Sequence, residues 1–197
     1  MKHLTTAGVD AQSSTDCQQA SFQFQDLGER KVEVDFSAGR LSSDGGALLL
    51  RQLDAGLGLT RTLAGCFCDQ RNQRFVDHTM PQLLAQRIYG LALGYEDLND
   101  HEQLRRDPLL ATACDQRDPL GVERFNPEFR GIPLAAPSTL NRLELSNNKV
   151  TRCHRLPHNP VKVEACLLEL GVRCLRKHAK EVVIDLDSMG HLLHGLQ

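Results

Sequence analysis

The chain has 197 residues, 41% of them hydrophobic and 24% charged, with a formal net charge of −2. This is the composition of a soluble globular protein able to bury a sizeable core, and no apolar run reaches the length of a membrane span. Seven cysteines at irregular spacing, without a secretory signal, read as free thiols in a reducing cytoplasm rather than a disulfide framework.

The charge is unevenly spread. Residues 1–120 carry 12 Lys and Arg against 17 Asp and Glu, whereas residues 121–180 carry 11 against 5. The later block is therefore locally basic, and clustering matters more than the total where phosphates are to be bound. An ordinary solvated face rich in Lys and Arg would look the same.

The first residues, MKHLTTAGVDAQSSTD, lack the apolar centre of a secretory signal, so 1–20 is expected to be a disordered leader. SFQFQDLGERKVEVDF (21–36) alternates apolar and polar residues and predicts two short strands around a Leu27-Gly28 turn. SSDGGALLLRQLDAGLG (42–58) predicts a helix over Leu48 to Leu53, capped by Ser43 or Asp44 and ending near Gly56 or Gly58. Residues 66–80 are polar and loop-like. PQLLAQRIYGLALGY (81–95) predicts a helix with Pro81 in its first turn and Leu84, Ile88, Leu91 and Tyr95 as its buried stripe. Residues 96–114 predict two short helices broken at Asp107-Pro108. Residues 115–137, rich in Pro and Gly, form a connecting segment.

STLNRLELS (138–146) predicts a further helix, with Ser138 or Thr139 as its cap. Leu140 and Leu143 would face inward, leaving Asn141, Arg142 and Thr139 outward. A helix with a polar start and an early Arg, inside a basic block that also holds Lys149, Arg152 and Arg155, suits a helix-turn-helix over about 121–160 that reads DNA. The plainer alternative is a short amphipathic helix with ordinary surface polarity. VKVEACLLELGVRCLRKH (161–178) predicts the last helix, with Val163, Cys166, Leu167, Leu170 and Cys174 as its apolar face and Lys177 and His178 at its C-terminal end.

EVVIDLDS (181–188) then reads as an apolar strand that ends in Asp185 and Asp187. Residues two apart on a strand share a face. Two carboxylates on one face repel unless a cation lies between them, and magnesium suits such a pair. An aspartate ending a strand before a turn is the structural alternative, and short acidic motifs of this kind also occur in sugar-nucleotide transferases, phosphatases and nucleases. Zinc fits poorly: the Cys66-x-Cys68 pair has no matching second pair, and Cys166 and Cys174 fall on an apolar helix face.

The runs FSAGRLSSDGGALLLRQLDAGLGL, RIYGLALGYEDLNDHEQLRRDPLL, PLAAPSTLNRLE and VVIDLDSMGHLLHG, in that order, resemble bacterial insertion-sequence transposases with a D-D-E catalytic triad, specifically those of DDE domain group 1. The resemblance covers roughly residue 22 to the end, and Y-E-D-L-N-D-H (95–101) is its most characteristic block. It implies a mainly α N-terminal region with a small β-hairpin (21–178), followed by the first strand of a truncated α/β ribonuclease-H-like catalytic core (179–197).

It further implies DNA as partner, through the terminal inverted repeats, and two Mg2+ ions held by three carboxylates for in-line attack on phosphodiesters. EVVIDLDS resembles the strand bearing the first acid, with Asp187 the favoured metal ligand and Asp185 the second candidate. Ser188 fits the family pattern, while Met189 stands where a Thr is expected. The second Asp and the Glu would lie downstream, so this chain alone is expected not to cut DNA. The alternative function is a non-catalytic fragment that occupies element ends or inhibits a full-length transposase, as a homodimer or as a heteromer with it.

Overall fold

The computed structural model describes residues 21–35, 42, 44–124, 126–146, 150–151, 154–175 and 181. The leader 1–20, the strand expected at 182–186 and the proposed cap Ser43 lie outside these residues.

The alternating N-terminal segment forms the expected antiparallel hairpin, β1 (Ser21–Leu27) and β2 (Arg30–Asp35), with Phe22 opposite Val34 and Phe24 opposite Val32. A two-stranded hairpin is marginal by itself. Here Phe24, Val32 and Val34 pack onto a core made by the helices that follow. Arg51, 5% exposed, clamps the hairpin from below: it donates to the carbonyls of Gln25 and Asp26 and pairs with Asp115 at 2.8 Å.

Helix α1 (Ala47–Leu57) ends at Gly58, whose φ of 71° is the left-handed conformation a glycine adopts without strain. The helix N-cap is Gly46, and no side chain caps it. Asp44 contributes its backbone carbonyl to Ala47 N–H instead. A short helix, α2 (Leu59–Ala64), follows at once. Asp54 fixes the corner between them: it accepts Thr60 N–H at 3.0 Å and the Thr60 hydroxyl at 2.5 Å, and the Tyr89 hydroxyl reaches it at 2.8 Å. Burial, then the neighbouring Asp54 carboxylate, push the Tyr89 phenol well above its usual range.

The central helix is α3 (Met80–Ala92). Thr79 and Gln82 form a reciprocal capping box, with Thr79 N–H donating to the Gln82 side chain at 2.9 Å. The expected stripe holds in part: Leu84 is buried and Ile88 packs partly buried against two clusters. Met80, Leu83 and Leu84 face one apolar cluster, and Ala85 and Tyr89 face a second. A helix between two clusters buries a wider arc than a one-sided amphipathic helix, so Gln86 and Gly90 are also buried while Leu91 is 46% exposed. Tyr95 lies beyond the helix end and sends its hydroxyl to Asp44.

The Y-E-D-L-N-D-H block and its sequel fold as a 3-10 turn at Leu98–Asp100, α4 (His101–Leu104) and α5 (Pro108–Ala113). The break falls at Asp107-Pro108, where the Asp107 carboxylate caps α5 by accepting Leu109 N–H at 2.7 Å. The connecting segment after it is not merely a tether, because Ile132, Leu134 and Ala135 are buried. It leads into α6 (Pro137–Glu144) and then α7 (Pro160–Cys174). On α7, Cys166 and Leu170 are buried, while Leu167 (51% exposed) and Cys174 point away from the core, contrary to the expected face. Lys177 and His178 lie outside the described residues. The five described cysteines are all free.

Candidate nucleic-acid interface

Helix α6 begins at Pro137, whose ring presets a helical φ and has no N–H to leave unpaired. This moves the cap position to Ala136, in extended conformation and without a side-chain bond. Ser138 and Thr139 are therefore not caps, as the sequence suggested, but residues of the first turn. Leu140 and Leu143 are buried as expected. Ser138, Asn141 and Arg142 are exposed and Thr139 is half-buried, so the polar residues of this helix share an open side.

The helix is held at both ends by consecutive residues of α3. At its start, the Gln86 amide donates to the Ala135 carbonyl at 3.0 Å and accepts Ala135 N–H at 2.9 Å. This two-bond exchange fixes which way the amide points. The same Gln86 nitrogen therefore donates to His101 Nδ1 at 3.3 Å, which places the imidazole proton on Nε2. Burial, then the nearby Arg87 guanidinium, lower the His101 pKa to about 4, so the ring is neutral. At the helix end, Arg87 pairs with Glu144 while also donating to the carbonyls of Tyr95 at 3.1 Å and Glu96 at 2.8 Å. Beyond it, Ser146 is bonded to His158 at 2.8 Å.

The Y-E-D-L-N-D-H block thus has a role that its chemistry alone did not reveal. Tyr95 and Glu96 supply carbonyls to Arg87, Asp97 caps a turn through Asn99 N–H at 2.8 Å, and His101 braces Gln86. Together they present α6. Gln86 and Arg87 were missed in the sequence because neither belongs to an apolar pattern. The Thr79-x-x-Gln82 spacing was a readable signal for where α3 begins.

The residues expected to bind DNA are only partly gathered. Ser138, Thr139, Asn141 and Arg142 lie on α6, and Arg155 is exposed on the segment that follows. Lys149 and Arg152 lie outside the described residues, as do the expected catalytic and metal-ligating Asp185 and Asp187. Helix α5 ends at Ala113 and α7 begins at Pro160, so among the described residues α6 is joined to its neighbouring helices by long segments and not by a three- or four-residue turn. Among the described residues, no three His, Cys, Asp or Glu side chains come together as a metal site, and no helix is long and apolar enough to cross a membrane.

No curated protein and no solved structure matches the chain. The family model described as "Transposase DDE domain group 1" matches residues 24–197, from the hairpin through α7 to the end of the sequence, and the chain belongs to that transposase family.

Proposed function

We propose that residues 21–178 form the end-binding region of an insertion-sequence DDE transposase and that α6 presents its DNA-contacting face. The observation that carries this reading is the exposed set Ser138, Asn141 and Arg142 on a helix fastened at both ends through Gln86 and Arg87. A fixed helix with outward polar side chains loses little further freedom on binding. In this reading α6 docks as a single presented helix, with Arg155, Lys149 and Arg152 contributing phosphate contacts that position it.

The segment from 179 would open a ribonuclease-H-like core. Asp187, or in its place Asp185, would be the first of three carboxylates that hold two Mg2+ ions for strand cleavage and transfer.

The test is a gel shift of the chain with terminal-repeat duplex against scrambled duplex. We expect preference for the repeat, lost or reduced at least tenfold in Arg142→Ala and weakened without loss of preference in Arg155→Ala. Equal binding of both duplexes would remove the end-binding reading. Where strand cleavage is measurable, Asp187→Asn should abolish it while leaving repeat binding intact.

A further inference from the structure

Beneath the start of α6 lies a cavity of about 140 Å³ into which two largely buried guanidinium groups, Arg105 and Arg124, bring their charge. Thr139, in the first turn of α6, forms part of its wall, and Ile132 and Leu134 supply an apolar floor. The two arginines are held differently. Arg124 is fixed by main-chain carbonyls, donating from Nε to Ile132 at 3.1 Å and from a terminal nitrogen to Pro133 at 3.0 Å. That terminal nitrogen also donates to His78 Nε2 at 3.0 Å, so Nε2 is an acceptor and His78 adds no positive charge. Arg105 is tied to Glu102 through one terminal nitrogen, but its Nε is buried and finds no acceptor among the described residues.

The acids that face these arginines reach solvent, although Asp77 also lines the cavity. Asp77, 3.3 Å from Arg124, has a side chain 67% exposed, and Glu102 is 57% exposed, against 15% and 14% for the arginines. The carboxylates can turn into water at little cost, whereas the guanidiniums cannot. Two inward cations whose counter-ions can turn into water suit a small anion offered from solvent.

We propose that this cavity is a phosphate-binding pocket that takes one oxyanion of the DNA backbone, held by the Arg105 guanidinium and the Thr139 hydroxyl in the field of Arg124. This deepens the DNA-binding reading above and rests on it. A phosphate seated beside Thr139 would fix where Ser138, Asn141 and Arg142 fall along the duplex, the positioning task that backbone contacts perform. The shared chemistry is the phosphate group, and free inorganic phosphate could supply it as well.

The experiment has two arms. In the first, inorganic phosphate is titrated into the wild-type chain while the Arg105 Nε–H resonance is followed by NMR. Saturable shifts of that resonance and of Thr139 are expected, and their absence would overturn the pocket. In the second, duplex binding is measured across a salt series for wild type, Arg105→Gln and Arg105→Lys. Arg105→Gln should weaken binding about tenfold regardless of sequence and lower the salt slope by about 1, with Arg105→Lys largely restoring it. An unchanged slope in a folded Arg105→Gln would overturn the backbone contact while leaving the α6 reading intact. Saturable phosphate shifts in a chain that binds no duplex would sink the DNA reading and keep the pocket as a site for free phosphate.

Discussion

Gln86 and Ala135, 49 residues apart in sequence, exchange two hydrogen bonds through one side-chain amide, so a residue of α3 acts as a strand-like partner for the backbone that enters α6. Gln86 is 1% exposed and Ala135 equally so, which leaves water no access to replace either bond. Gln86→Leu keeps the volume but strands the Ala135 N–H, the Ala135 carbonyl and His101 Nδ1. We expect a loss of about 2–4 kcal/mol, seen as a fall in Tm of about 5–15 °C. The same substitution should weaken repeat binding beyond what its stability loss explains, because α6 loses its anchor. Thermal melting and gel shifts at a temperature where the variant is folded check both points.

Gly90 shows the other side of the same packing. A Cβ at Gly90 would lie 2.9 Å from His101 Cε1 and 3.1 Å from Nε2. The imidazole has nowhere to retreat, since Gln86 holds its other edge and the residue is fully buried. Gly90→Ala should therefore destabilise by about 1–3 kcal/mol, although alanine is the better helix former by about 1 kcal/mol. Gly56, in α1, has nothing within 4 Å of its Cβ position. There the helix preference acts alone, and Gly56→Ala should stabilise by up to about 1 kcal/mol. Urea denaturation of the two variants should give shifts of opposite sign.

Local signals carried much of the fold, and long-range polar pairing carried the rest. The period of two in residues 21–36, Pro81, Asp107-Pro108 and Gly58 each act within a few residues, so the hairpin, the start of α3, the break before α5 and the end of α1 were readable. The buried face of α3 was readable only in part, at Leu84 and Ile88, because a single stripe presumes one core and this helix serves two. Ser138 and Thr139 do not cap α6 because Pro137 takes the first helical position and shifts the cap to Ala136. Residues that present α6, Gln86 and Arg87 above all, act on partners dozens of positions away. No periodicity encodes that. The outward placement of Asn141 and Arg142 was legible because Leu140 and Leu143 fix the opposite face.

Two buried imidazoles make stability depend on pH in a defined window. Burial, then the Arg124 guanidinium, lower His78 to about 4, with Asp77 and Gln116 acting the other way. Burial and Arg87 lower His101 to about 4 against Asp100 and Glu144. In the unfolded chain both rings take up a proton near pH 6.5, while in the folded chain they do so only near pH 4. The folded state is thus fully favoured above about pH 6.5 and loses stability as pH falls from there towards 4, with no further loss from these groups below. At pH 5 the cost is about 2 kcal/mol per histidine. Denaturant midpoints at pH 7.5 and pH 5 measure it, since most carboxylates scarcely titrate in that interval. NMR should show neither imidazole titrating between pH 8 and 5.

Helix α7 is apolar on two opposite sides, and only one of them supports the described fold. Cys166 and Leu170 are buried, with Val163 partly so. Val161, Leu168 and Val172 are 70%, 71% and 56% exposed and follow one another along the opposite side at helical spacing. Leu168→Lys with Val172→Gln should therefore change stability by no more than about 0.5 kcal/mol, helped by the Glu164–Lys pairing that the first change creates four residues along the helix. Leu170→Ala, on the buried side, should cost about 2–4 kcal/mol. An exposed apolar row of this kind also favours self-association, so the double variant should sediment as a monomer at concentrations where the parent chain forms larger species. Unfolding of the double variant would mean that this side is covered within the chain, and that the helix has two structural faces instead of one.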